Sequence, residues 1–538
     1  MLSKFSFIAF TLLAATATAV ERPNIVIVLA DDMGYSDIGS YGGEVRTPRL
    51  DALAADGLRF TQFYNTGRCC PTRASLLTGL YQHQAGVGKM VGRGEGPGYL
   101  GRLSENCVTL AEVMRGAGYA TAMAGKWHVT HFDYIEQAAS HRGSWPLQRG
   151  FDRFTGSLAG GGNYYRPKGW MVQNDFTKPG EGFYYTDAVS EAAVGYIQDT
   201  PAEKPLFMYV AYTAPHWPLH AHEKDIAKYK GVYDKGWDAI RADRLERMKK
   251  LGLVPEDTPL SPRDPRVPQW SNDLERRDLH VRRMETYAAQ IECMDRGIGH
   301  IVDQLKKSGR FDNTLLLFLA DNGGCDEVFS GEWYTRYFSP GTDTTDWGNE
   351  SDSMPGGPET FQSYGVGWAN ASNTPFRKYK KNNHEGGIAT PLIAHWPRGI
   401  DVALRGKLDR QPGHLVDLMA TCVDIAGAIY PAELNEHAIT PMQGVPLTPA
   451  FKGSKLAREQ PLFFEHYGHR AIRDGQWKLV KLDGKLWELY DMHADRVELN
   501  NRAKDQPERT KQMTEAWLNW AGSANVITQQ QAVEERTR

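Results

Sequence analysis

Four stretches of the chain are apolar at nearly every position rather than at alternate ones: Asn24–Ala30 (NIVIVLA) and residues 119–124, 206–212 and 315–320. A strand with one wet face alternates, whereas a continuous β-branched and aliphatic run belongs to a strand covered on both faces, as in parallel sheets. Between these runs apolar positions recur by threes and fours. The clearest case is residues 280–308, where Met284, Tyr287, Ile291, Met294, Ile298, Ile301 and Leu305 fall on one helical face. Thr47-Pro48, an N-cap followed by proline at the first helical position, announces a second helix through Leu50, Leu53 and Ala54. Buried strands alternating with amphipathic helices predict an α/β fold with a large, mostly parallel sheet sandwiched by helices.

After about residue 455 the pattern changes. Short strands flank Asp474-Gly475 and Asp483-Gly484, which are hairpin turn signals, and a helix is predicted over 507–521. The division expected is therefore a larger α/β unit at 20–455 and a smaller antiparallel sheet plus helix at 456–538. Residues 218–280 and 325–375 are rich in Pro, Gly and aromatics with little periodicity, as in functional loops or lids. There are no internal repeats.

The N-terminus follows a different rule. Lys4 precedes an apolar run over 5–15, and Ala17-Thr18-Ala19 fits a signal-peptidase site, so residues 1–19 read as a cleavable signal peptide. The expected location is secreted or periplasmic. No later stretch reaches about 18 uncharged apolar residues, so no membrane span is expected. In the whole chain of 538 residues, 24% are charged and the net charge is -3 without long like-charge blocks, which gives no reason to expect nucleic acid.

Each buried run is followed at once by polar residues able to do chemistry. The first ends in Asp31-Asp32, the second leads to Gly125-Lys126-Trp127-His128, the third to Ala214-Pro215-His216, and the fourth to Asp321-Asn322. Parallel strands point their carboxyl ends to one edge of the sheet, where ligands bind in α/β folds. Three carboxylates and an amide are hard oxygen donors suited to Ca²⁺ or Mg²⁺. Taken singly, each Asp reads as a turn or a cap; adjacent carboxylates such as Asp31 and Asp32 repel unless a cation neutralises them.

The chain has six cysteines, Cys69, Cys70, Cys107, Cys293, Cys325 and Cys422, without the spacing of a disulfide framework or a zinc site. Cys69 and Cys70 are neighbours in "GRCCPTRASLLTG", and a trans peptide holds adjacent Cα atoms about 3.8 Å apart, short of the usual disulfide span.

With Cys69-Cys70-Pro71-Thr72-Arg73 and Leu77-Thr78-Gly79 in view, the chain resembles the formylglycine-dependent type I sulfatases of the alkaline phosphatase superfamily. The resemblance covers about residues 22–500, and "APHWPL" and "ECMDRGIGHIVDQLKKSGRFDNTLLLFLADNGG" point to the arylsulfatase branch. It implies that 20–455 is the catalytic domain and that a formylglycine-generating enzyme, reading Pro71 and Arg73, oxidises Cys69 to Cα-formylglycine. Asp31, Asp32, Asp321 and Asn322, with residue 69, stand where the family binds one Ca²⁺. Arg73, Lys126, His128, His216 and Lys380 stand at its other active-site positions; Lys378 and Lys381 are the alternatives to Lys380.

The implied reaction is hydrolysis of a sulfate ester. A hydrated formylglycine attacks sulfur, His216 with Lys380 protonates the leaving alcohol, and His128 deprotonates the second hydroxyl so that sulfate is expelled. The implied substrate is a sulfated polysaccharide or oligosaccharide, with aryl sulfates as surrogates. A formylglycine-dependent phosphonate or phosphate ester hydrolase and a silent Ca²⁺-stabilised carbohydrate-binding relative are the alternatives. Trp333, Tyr334, Tyr337, Trp347 and Trp368 are candidates for stacking on sugar rings or for packing their loop down. The basic stretch 241–250 is either helical surface or a polyanion subsite.

Overall fold

A computed structural model describes residues 22–92, 94–133, 142–330, 347–527 and 531. The expected signal peptide and Trp333, Tyr334 and Tyr337 lie outside the described residues.

The main sheet is built on β1 (Asn24–Ala30), β2 (Leu58–Tyr64), β3 (Ala120–Lys126), β4 (Arg153–Ser157), β5 (Trp170–Val172), β6 (Asp175–Phe176), β7 (Leu206–Ala211), β8 (Thr314–Ala320), β9 (Ala389–His395), β10 (Leu408–Asp409) and β11 (Gly413–His414). Its order is β10-β2-β9-β8-β1-β7-β3-β4-β5-β6, with β11 also on β2. The centre, β8-β1-β7-β3-β4, is parallel throughout. β9 runs antiparallel to both β8 and β2.

β1 shows why the continuous run is needed. Pinned between β7 and β8, it sends Val26, Val28 and Ala30 into one core and Ile25, Ile27 and Leu29 into the other. The first core is covered by the helices Pro48–Ala55, Tyr185–Asp199 and Arg277–Lys307, the second by Cys69–Thr78, Leu110–Gly116 and Asp417–Ala426. Each buried Val, Ile or Leu contributes roughly 1.5–3 kcal/mol, so a polar residue anywhere in β1 is costly.

Residues 462–491 form a separate antiparallel sheet of four strands, with turns at the two expected Asp-Gly pairs, backed by the helix Pro507–Ser523. Ile472, Leu479 and Leu489 meet Met513, Trp517 and Leu518 there.

Two readings need correction. Residues 218–280 are not irregular throughout, because Gly236–Lys250 is a helix. Within it Arg241 and Arg244 are buried, and Arg244 is paired at 2.7 Å with both Asp37 and Glu44, so these two cations are not available to a polyanion. Thr47 does precede the helix Pro48–Ala55, but its Oγ1 accepts from the Gly39 N–H at 2.9 Å instead of capping. Of the described aromatics, Trp368 is fully buried beside Tyr233, Trp237 and Trp270, and Trp347 stacks on Phe361; both pack the loop down.

Candidate active site

The parallel strands β1, β3, β7 and β8 deliver Asp31, Lys126, the 214–216 turn and Asp321 to one edge of the sheet. The helix Cys69–Thr78 enters that edge from β2 and is buried along its whole length. Its start is tied to the end of β8, since Thr72 Oγ1 donates to the Asp321 carbonyl at 2.6 Å and accepts from the Thr66 N–H at 3.1 Å. It stops at Gly79, whose φ of 68° is left-handed, against the side chain of Met419. Cys69 therefore sits at the head of a rigid element, 2% exposed.

Arg73, one turn into that helix, is fully buried and braces the site from below. Its guanidinium donates to the Lys126 carbonyl and to Asp321 Oδ2, both at 2.8 Å, and lies 3.4 Å from Asp31 Oδ2. Lys126 Nζ bonds Asp31 Oδ2. Lys380 Nζ lies 2.6 Å from Asp32 Oδ1 and 2.9 Å from Oδ2. Asn322 donates to Asp32 Oδ1 at 2.7 Å, and the Asp32 N–H donates to Asp321 Oδ1 at 3.1 Å. Asp32 has a φ of 62°, a strained position for a residue with a Cβ and one that clusters at functional sites.

Arg73, Lys126 and Lys380 formally balance the three carboxylates, yet the set is not at rest. Burial raises the Asp31 carboxyl despite Lys126 and Arg73, and burial with Asp31 pushes Asp321 up to about 8. For Asp32 burial acts in the same direction, but Lys380 and His216 outweigh it and hold the carboxyl low. Asp31 Oδ1 and Asn322 Oδ1 are buried acceptors with no hydrogen-bond partner. Unpaired hard oxygens among crowded carboxylates fit a divalent cation, and the all-oxygen donor set fits Ca²⁺.

Both histidines face this cluster. The ligating atoms of Cys69, Cys70 and His128 lie within 4.8 Å of one another, as do those of Asp31, Asp32 and His216. His216 Nδ1 pairs with the Trp217 carbonyl at 2.6 Å, which turns Nε2 toward Asp32 Oδ2, 3.4 Å away. Burial holds each imidazole down to about 4. The Cys69 thiol is held well below its usual range, chiefly by a hydrogen bond from Cys70 and then by Lys126, His128 and Lys380 against the effect of burial. All six cysteines are unpaired.

The structure brings together every candidate side chain from residues 31 to 380. It also distinguishes the three lysines by partner: Lys380 pairs with Asp32 and Lys381 with Glu327, whereas Lys378 has no ion pair among the described residues, although all three border one cavity. Three participants were not singled out from the sequence. Gly160 has its Cα so close to the His128 ring that a Cβ would come within 2.3 Å of it. Glu327 is paired with Arg68 at 3.2 Å. Glu385 lies in a buried ionic cluster in which Lys478 Nζ is 2.9 Å away and Arg496 Nε 3.0 Å away; Glu498 Oε1 is 2.8 Å from the same Lys478. Lys478 comes from the C-terminal sheet and Arg496 from the segment that follows it, so this cluster pins that sheet to the turn that carries Lys380.

This geometry is that of a sulfuric ester hydrolase, and comparison with known proteins agrees. The family model described as Sulfatase matches residues 23–428, and the model for the N-sulphoglucosamine sulphohydrolase C-terminal region matches 377–519. The chain belongs to the sulfatase family, within the alkaline phosphatase-like superfamily. It is 36% identical to an arylsulfatase of Klebsiella aerogenes, over 81% of this chain and 93% of the relative. An uncharacterised sulfatase of Schizosaccharomyces pombe is 31% identical, over 94% and 95% respectively. Among solved structures, Ps i-CgsB in complex with k-i-k-neocarrahexaose superposes with a TM-score of 0.65 at 26% identity, covering 93% of this chain and 92% of that one.

Proposed function

We propose that the protein removes sulfate from a sulfated saccharide through a formylglycine made from Cys69, with one Ca²⁺ held by Asp31, Asp32, Asp321, Asn322 and residue 69. The observation that supports this most directly is the placement of Cys69. It heads a buried helix with its Sγ within 4.8 Å of a His128 ring nitrogen, it acts electrostatically on Asp31 and Asp32, and the carboxylate cluster there keeps two unpaired acceptors, Asp31 Oδ1 and Asn322 Oδ1. Bound there, the cation adds positive charge against the sulfate oxygens, and hydrated formylglycine offers two hydroxyls where a thiol offers a single nucleophilic atom.

The remaining work falls to the side chains. Lys126, Lys380 and Arg73 concentrate positive charge in a site closed to bulk water, where it acts more strongly on a sulfate monoanion. His128, neutral because burial holds it down to about 4, is ready to accept a proton at residue 69. His216 is fixed by the Trp217 carbonyl with Nε2 inward, and Lys380, protonated on Asp32, stands beside it. This pair supplies the proton to the departing alcohol. A saccharide substrate is supported by the relatives: the similar structure noted above holds a neocarrahexaose, and an N-acetylglucosamine-6-O-sulfatase of Bacteroides thetaiotaomicron is 25% identical over 89% of this chain.

The test is mass spectrometry of the tryptic peptide carrying residue 69, from protein made in its native host, with rates on matched sulfate and phosphate esters. Conversion lowers the peptide mass by about 18 Da, as CH2SH becomes CHO. An unmodified thiol in active enzyme, or a clear preference for the phosphate ester, overturns the assignment.

A further inference from the structure

The C-terminal sheet presents an unusual turn. Its first strand, Leu462–His466, pairs with His469–Asp474 so that only Tyr467 and Gly468 link them, with φ of 51° and 81°. A two-residue hairpin with both central residues left-handed strongly favours Asn, Asp or Gly at its first position. Tyrosine there is a costly choice, and 42% of the side chain is exposed, so packing does not repay it. Local rules are broken in this way mostly where a side chain has work to do.

The turn lies near the start of the nucleophile's helix, close enough for Tyr467 and Arg68 to act on each other electrostatically. Burial raises the Tyr467 phenol, and the charges it feels are, in order, Arg68, Cys70, Cys69 and Glu327. Arg68 immediately precedes Cys69 and lies 3.2 Å from Glu327 Oε1; Lys381 Nζ pairs with the same oxygen. One carboxylate thus answers two cations. Arg68 Nε is buried with no hydrogen-bond partner. Lys381 also borders a cavity of about 390 Å³ with Lys378, Lys380 and His469, whose lining also includes Asp264 and Asp326, both paired with Arg266. The Lys378 ammonium has no ion pair among the described residues.

We propose that Arg68, Lys381 and Lys378, roofed by the Tyr467 ring, form a leaving-group subsite for a second negative charge. The preferred substrate is then a sulfate ester whose alcohol carries a further carboxylate or sulfate. The surplus positive charge draws the second anion, Glu327 keeps Arg68 and Lys381 apart and oriented, and the ring supplies a flat wall. The subsite rests on the sulfatase reading above.

Two probes separate the two claims: 4-nitrophenyl sulfate, and the same ester with a carboxylate ortho to the nitro group. Comparing the ratio of their kcat/KM values between wild type and variant cancels the intrinsic chemistry of each leaving group. In Lys381→Met the ratio of charged to uncharged ester falls about tenfold, a change of about 1.4 kcal/mol. Tyr467→Asn, which suits the turn better and folds at least as well, lowers the same ratio. The proposal is overturned by a ratio unchanged in both variants, or by both esters slowing equally. Failure of the wild type on both esters overturns instead the reading on which it rests.

Discussion

Replacing Lys478 by Met tests how the C-terminal sheet is held to the catalytic turn. The ammonium lies 2.9 Å from Glu385 and 2.8 Å from Glu498, and all three side chains are wholly buried. Without it, Glu385 keeps Arg496 at 3.0 Å, while Glu498 keeps the Glu385 N–H at 2.9 Å but loses its ion pair. Breaking a buried ion pair from one side costs about 3–5 kcal/mol. If the chain of 538 residues melts as one unit, its unfolding entropy is about 1.1 kcal/mol/K, so Tm falls by about 3–5 °C. If the C-terminal sheet and its helix melt alone, the smaller entropy makes the shift several times larger.

Differential scanning calorimetry distinguishes these cases. Acid sensitivity changes as well. Burial works to raise Glu385, but Lys478, Arg496 and Arg473 hold it down to about 2 from an ordinary 4.5. A carboxyl with a depressed folded-state pKa stabilises above its unfolded value and loses that contribution as pH falls through the folded one. In Lys478→Met the Glu385 carboxyl is no longer held so low, so the contribution that wild type loses between about 4.5 and about 2 shrinks, and the gap in Tm between the two proteins narrows as pH falls through that window. A Tm within 1 °C of wild type, with unchanged acid sensitivity, refutes the view that this cluster fastens the sheet.

Further outcomes follow from the site. Gly160→Ala drives a methyl into the His128 ring, and since a misplacement of about 1 Å costs on the order of 10²-fold, kcat should drop by that much with the melting temperature nearly unchanged. Chelation by EDTA should lower both activity and Tm, and Ca²⁺ should restore them; a ligand at 100 times its Kd stabilises by about 2.7 kcal/mol, and Asp321→Asn should weaken the Ca²⁺ response in a thermal-shift titration. With His128 held down to about 4 by burial, its neutral form persists to low pH, so the acid limb of kcat/KM should fall nearer pH 4 than the 6.5 of a free imidazole. An acid limb at 6.5 would assign it to another group.

What could be read from sequence divides along physical lines. β1 and β8 announced themselves because strands covered on both faces need apolar residues throughout, and the chemistry stood directly after them. β2 and β9 did not. β2 (LRFTQFY) mixes Arg, Thr and Gln into its run because it lies toward the sheet edge, where Thr61 and Gln62 bond carbonyls of the 409–410 segment. β9 carries Pro391 and runs antiparallel, so it lacks the expected pattern. The basic stretch left two readings open, a helix surface and a polyanion subsite, because composition does not show that Arg244 is paired with Asp37 and Glu44. The Tyr467 turn and the Glu385 cluster were hidden for a related reason: each depends on partners more than 90 residues away.

The burial of the helix Cys69–Thr78 also imposes an order in time. Pro71 and Arg73 are sealed under the sheet edge, and Cys69 shows 2% of its surface. Any enzyme that reads these residues must meet them while the chain is still open. β9, Lys380 and the C-terminal sheet that close the site are made some 300 residues later. On the proposed formylglycine reading, the interval between synthesis of the motif and arrival of those segments is the window for maturation. A mutation that speeds folding would shorten that window, and the product would be a stable, correctly folded protein that is inert.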